Sequence, residues 1–112
     1  MRRVIVESPY AGEVEENVKY ARACVRDCLL RGEAPIASHL LHTQDGRLRD
    51  GVAEERALGI AAGLAWARVA DAMVVYINRG RSKGMMAAVS HAEEVGLRVE
   101  YRRLKSADAS AK

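Results

Sequence analysis

The stretch "DAMVVYIN", Asp71 to Asn78, constrains the fold more than any other part of the chain, because no charge interrupts it from Ala72 to Ile77. A strand that buries one face alternates apolar and polar residues. A near-continuous apolar run instead fits a strand covered on both faces, the usual condition of a parallel sheet. Parallel neighbours must be joined by crossovers of a dozen or more residues, normally helical.

The rest of the chain supplies them. "RRVIVES" is a short strand rich in β-branched residues and ended by Ser8 and Pro9. Between Glu13 and Leu30, Val14, Val18, Ala21, Val25, Cys28 and Leu29 recur on one helical face, with glutamates in the first turn and Gly32 as a stop. "APIAS", Ala34 to Ser38, is a second buried strand, and "HLLHTQDGRLRD" after it has the composition of a loop. A loop of about 12 residues is uncommon in a compact domain and is often functional. Gly51 to Val69 is a second helix, with Val52, Leu58, Ala61, Ala62, Ala65 and Val69 on its apolar side. "MMAAVSHAEEVG" is a third, with Met85, Val89 and Ala92 on one face, and "LRVEYRRL" alternates as a last strand.

The element order is β-α-β-α-β-α-β, which predicts an α/β fold: a four-stranded, mainly parallel sheet in the order 2-1-3-4 with helices on both faces. One domain over residues 1–104 is expected, with a flexible, small and polar tail over 105–112. Gly59 and Gly63 lie inside the second helix, where each costs up to about 1 kcal/mol relative to Ala. With Ala67 they leave a flat stripe, suited to close packing on the sheet or on a helix of another subunit, and Trp66 lies beside it.

Charge narrows the partners. The chain has 18 Lys and Arg against 15 Asp and Glu, a net +3 with the basic residues scattered among acidic ones. With 4% aromatic residues and no Phe, it lacks the clustered basic charge and interleaved aromatics of a nucleic-acid binder. The apolar run Val4 to Val6 is too short for a signal-peptide core, and Ala57 to Ala67 is too short to span a bilayer. No membrane partner and a cytoplasmic location are expected. Cys24 and Cys28, four residues apart on a helix, fit two buried thiols better than half of a zinc site.

Three segments leave the strands on one edge of such a sheet, at the switch point where parallel α/β sheets bind ligands. They are "ESPYAG" after the first strand, "SHLLHT" after the second and "NRGRSKG" after the third. Glu7 and Tyr10 can contact a hydroxyl or a base. Ser82, Lys83 and the amides of Gly80 to Gly84 can hold an anion, although "GRSKG" lacks the spacing of a Walker loop and equally suits a plain solvated turn. Pro9 and Gly12 shape the first turn, one fixing its dihedral and the other freeing it. His39 and His42 form an HxxH, but no third ligand is evident, so no metal is expected. His39 is the better candidate for hydrogen bonding to a ligand, alongside its ordinary role as a satisfied residue at a strand end. The cluster Glu54, Glu55 and Arg56 is a solvated helix start, with Arg56 as a lesser candidate anion partner. No Ser-His-Asp order or nucleophile elbow supports acyl transfer.

Taken together, "SPYAG", then Asn17, Tyr20 and Ala21, "GEAPIASHLL", "EERALGI", "ADAMVVY" and "GRSKGM" resemble a family of small proteins frequent in phages and prophages. That family looks like the nucleoside 2-deoxyribosyltransferase superfamily. The resemblance covers the chain nearly to Leu104 and implies a Rossmann-like three-layer fold, a homo-oligomer, and a nucleoside or nucleotide-like ligand with an N-glycosidic bond. The ligand is then expected on Ser8, Pro9, Tyr10, Gly12, His39, Asn78, Gly80, Ser82, Lys83, Gly84 and Met85, with no cofactor. In the transferases a glutamate near the start of the third helix attacks the anomeric carbon. This chain departs from that pattern: "GMMAAVSHA" has no carboxylate between Gly84 and Ala92, and Asn78 stands where an acid is expected after the third strand. Ligand binding with weak or no catalysis is therefore the leading expectation. The alternatives are N-glycosidic cleavage or transfer with Glu7 as nucleophile or base, and an interaction subunit whose pocket is vestigial.

Overall fold

The structure, a computed structural model, describes residues 1–41, 48, 49 and 51–105. Its elements are β1 (Arg2–Glu7), α1 (Val14–Leu30), β2 (Glu33–Ile36), α2 (Ser38–Leu41), α3 (Ala53–Ala65), a 3₁₀ turn (Trp66–Arg68), β3 (Ala72–Tyr76), α4 (Lys83–Glu94) and β4 (Val99–Arg102). The four strands form one parallel sheet in the order β2-β1-β3-β4, as the crossover pattern predicts. Glu7 lies opposite Val75 in the register, so β1 and β3 end at the same edge.

Every residue of β3 is buried, which is why its sequence shows no alternation. Its two faces feed two cores. Val4, Val6, Val74 and Tyr76 pack with Tyr20, Cys24 and Cys28 of α1 on one side. Ile5, Met73 and Val75 pack with Met85, Ala88, Val89 and Ala92 of α4 on the other. Helices therefore cover both faces.

Local details differ from the sequence expectation. The buried face of α1 is Asn17, Tyr20, Ala21, Cys24 and Cys28, while Val14 and Leu29 of the expected face are exposed. The helix is rotated because Asn17 and Tyr20 find hydrogen-bond partners inside and so can be buried without penalty. β2 runs from Glu33 to Ile36, and Ser38, expected to close it, opens α2. The expected loop after β2 thus begins as a short helix, and the rest of it, including His42, lies outside the described residues apart from Leu48 and Arg49. The second predicted helix divides into α3 and the 3₁₀ turn. The expected flexible tail also lies outside the described residues, except for Lys105.

α3 is the anomaly. None of its residues is buried, and Leu58 and Ile60 are 60% and 53% exposed. Its close approach is local: a Cβ on Gly63 would stand 2.6 Å from Ser38 Oγ, so glycine lets α3 lie against α2. Among the described residues, no helix is long and apolar enough to cross a membrane.

Candidate functional site

A cleft of about 350 Å³ opens at the carboxyl edge of the sheet, within the size range of small-molecule sites. Its floor includes Ile5 and Met73 at the β1–β3 switch point. Three strand exits meet there: Glu7, Ser8 and Tyr10 after β1, Ser38 and His39 after β2, and Ser82 to Met85 at the start of α4. α3 forms the remaining wall with Glu55, Arg56, Gly59, Ile60 and Gly63.

The turn after β1 is built by α1. Asn17, buried at the start of that helix, donates through Nδ2 to the carbonyls of Tyr10 (3.0 Å) and Ala11 (3.1 Å). Its Oδ1 accepts from Arg79 Nε at 3.0 Å, which ties the turn to the segment after β3. Gly12, at φ +96°, lets the chain reverse into α1.

At the end of the cleft formed by the β1 and β2 exits, the Glu7 carboxyl makes no hydrogen bond or ion pair to another described residue. Burial alone pushes its carboxyl up to about 8 from an ordinary 4.5, since charge is costly where water is excluded. Beside it, Ser8 Oγ and His39 Nε2 share a hydrogen bond of 2.7 Å. Burial pushes His39 down to about 4, so its imidazole is neutral at physiological pH. Both titratable groups at this end are therefore uncharged near pH 7.

The other end is polar in a different way. Ser82 caps α4: its hydroxyl accepts from the Met85 N–H at 3.2 Å, and its own N–H donates to Met85 Sδ at 3.4 Å. The amides of Lys83 and Gly84, in the first turn, have no acceptor within the helix, and both residues line the cleft. Met85 itself is buried in the core beneath them. On α3, Glu55 is held by Arg49 at 2.6 Å, which keeps its carboxyl below the ordinary range.

Of the residues singled out in the sequence, Glu7, Ser8, Tyr10, His39, Ser82, Lys83, Gly84 and Met85 meet in this cleft. Pro9, Gly12, Asn78 and Gly80 do not line it. Asn78 faces α1 and the C-terminal strand exit instead: its Oδ1 accepts from Tyr20 Oη (2.8 Å) and the Leu104 N–H (2.8 Å), and its Nδ2 donates to the Leu104 carbonyl. Gly80, at φ +86°, closes the turn after β3 by donating to the Ile77 carbonyl. Arg56, the lesser anion candidate, does reach the cleft. Ser38, the first residue of the expected "SHLLHT" segment, reaches the cleft, whereas sequence reasoning missed Ile60, whose signal was the uncharged run of α3. Among the described residues no group of three or more His, Cys, Asp or Glu is placed to hold a metal.

A parallel sheet in the order 2-1-3-4, with its cleft at the switch point, places the molecule among the Rossmann-like α/β proteins. A solved 2-deoxyribosyltransferase from the psychrotolerant bacterium Bacillus psychrosaccharolyticus, described as a biocatalyst for nucleoside synthesis, is similar with a TM-score of 0.62. The match covers 93% of this chain and 74% of that one at 19% identity, a likeness of fold. Residues 2–102 match the family described as a domain of unknown function, DUF7768, and the chain belongs to that family. No curated protein matches it.

Proposed function

We propose that this protein binds a nucleoside or nucleotide-like ligand in the cleft at the carboxyl edge of its sheet, with weak or no catalysis. The supporting observation is the division of one cleft into an uncharged hydrogen-bonding end at Glu7, Ser8 and His39 and an anion-compatible end at Ser82, Lys83 and Gly84. A base or sugar suits the first and a phosphate the second. Tyr10 also lines the cleft.

The enzymatic alternative, cleavage or transfer of an N-glycosidic bond, rests on Glu7, whose place in the cleft suits it. A nucleophile must be a carboxylate, and burial keeps this one protonated near neutral pH. α4 has no acid before Glu93 to take its place. A homo-oligomer belongs to the same reading, because Leu58 and Ile60 of α3 stay exposed among the described residues. A cytoplasmic setting suits its two buried free thiols.

Thermal denaturation with a panel of nucleosides and nucleotides, followed by chromatography of the same samples, tests the reading. Binding at 100 times Kd stabilises by about 2.7 kcal/mol, a shift of several degrees. The expected result is such a shift with little free base released. No shift with any member overturns the binding reading and leaves a vestigial pocket. Rapid release of base, abolished in Glu7→Gln, promotes the enzyme.

A further inference from the structure

We propose that Glu7 reads the base of the ligand by a two-point hydrogen bond to an edge that carries one donor beside one acceptor, such as the N–H and C=O of a lactam. This rests on the nucleoside reading above and deepens it by naming the base edge that Glu7 accepts.

The geometry points to Glu7 because the neighbouring polar side chains each have a protein partner and its carboxyl has none among the described residues. Ser8 and His39 bond each other at 2.7 Å. Ser82 accepts the Met85 N–H. Glu7 ends β1 at the switch point and lines the cleft, and its carboxyl makes no hydrogen bond or ion pair to another described residue. A half-buried carboxyl at the cleft wall that no described residue engages keeps its hydrogen-bonding capacity for a ligand.

The hydrogen-bond pattern then follows from its protonation. Among the described residues, the other ionisable groups facing this cleft are Tyr10 from the turn after β1, His39 from α2, Glu55 and Arg56 from α3, and Lys83 from α4. Glu55 is paired with Arg49, and His39 is neutral. The dominant influence on Glu7 is loss of water, which keeps its proton in place up to about pH 8. A carboxylate offers only acceptors and would select two adjacent donors. A carboxylic acid offers O–H beside C=O, the complement of N–H beside C=O, or of an amino group beside a ring nitrogen.

The test is calorimetric titration of the full chain with two probe pairs, uridine against 3-methyluridine and inosine against 1-methylinosine. In each pair the methyl group removes the ring N–H and leaves the sugar intact. At pH 6.5 at least one parent nucleoside should bind, and its methylated partner should bind at least tenfold more weakly. Between pH 6.5 and 8.5 the wild-type affinity should fall about fourfold as the acid ionises. Glu7→Gln keeps one donor beside one acceptor and cannot titrate, so its affinity should stay within about threefold of wild type and remain flat over this range. Glu7→Ala should lose at least tenfold at both pH values. Circular dichroism of both variants establishes that they fold.

Equal binding of parent and methylated nucleosides overturns this inference and leaves the nucleoside reading standing. So does a Glu7→Gln protein as weak as Glu7→Ala. Failure of all four probes and of the wider nucleotide panel overturns both.

Discussion

At the scale of single residues, Glu7 and His39 share one cleft and act on folding in opposite senses. The Glu7 carboxyl ionises at about 4.5 when unfolded and about 8 when folded, so between these values the native state holds the extra proton. Stability from this group falls as pH rises through that window, by at most about 1.4 kcal/mol per pH unit. His39 protonates at 6.5 when unfolded and about 4 when folded, so the unfolded state holds the extra proton there, and stability falls as pH drops from 6.5 to 4. The two slopes cancel between about 4.5 and 6.5, and Glu7 alone acts from there to about 8. Urea denaturation at closely spaced pH values should show a plateau followed by a decline. Glu7→Gln should remove the decline and make the protein more stable than wild type at pH 8. A decline that persists in this variant places its source elsewhere. Neither shift was legible in the sequence, which places Glu7 and His39 at strand ends but says nothing of how much water reaches them.

At the scale of elements, strands and crossovers were readable because each depends on local pattern. β3 announced itself by its unbroken apolar run, and α4 by the spacing of Met85, Val89 and Ala92, all of them buried. The face of α1 was misjudged because hydrophobicity alone set aside Asn17 and Tyr20, whose burial depends on partners far away in sequence. β4 hides a similar case. Arg102, in what looks like a charged strand end, is only 8% exposed and forks onto Glu33 of β2 at 2.6 and 2.8 Å, with Tyr76 Oη at 3.2 Å from the same guanidinium. Removing one partner of such a pair leaves a buried charge, a cost of about 3–5 kcal/mol, whereas replacing both by apolar residues is often neutral. Arg102→Met should therefore be severely destabilised, and Arg102→Met with Glu33→Leu should recover much of the loss. Equal damage in the single and double variants contradicts this account. Arg2, 3.6 Å from Glu33, will soften the single variant's loss.

At the scale of the whole molecule, the sheet order and its cleft followed from the sequence because handedness and crossover length leave few topologies. The glycine stripe of α3 resolved only in part. Gly63 serves α2 and Gly59 the cleft, while Leu58, Trp66 and Val69 remain open to solvent. Light scattering of the purified protein should show a homo-oligomer, and Leu58→Glu with Ala61→Glu on α3 should dissociate it. A wild-type monomer at all concentrations removes the subunit reading of this helix.

Cys24 and Cys28 lie fully buried on the far side of the sheet from α4, their thiols pushed above the ordinary range by burial. A thiol reacts as its thiolate, so a reagent in solution meets these sulfurs only after α1 lifts from the sheet. The two cysteines thus form a built-in clock for opening of the molecule's rear layer. Since α1 also holds the first cleft turn through Asn17, a ligand that tightens the cleft should slow that clock without touching either sulfur.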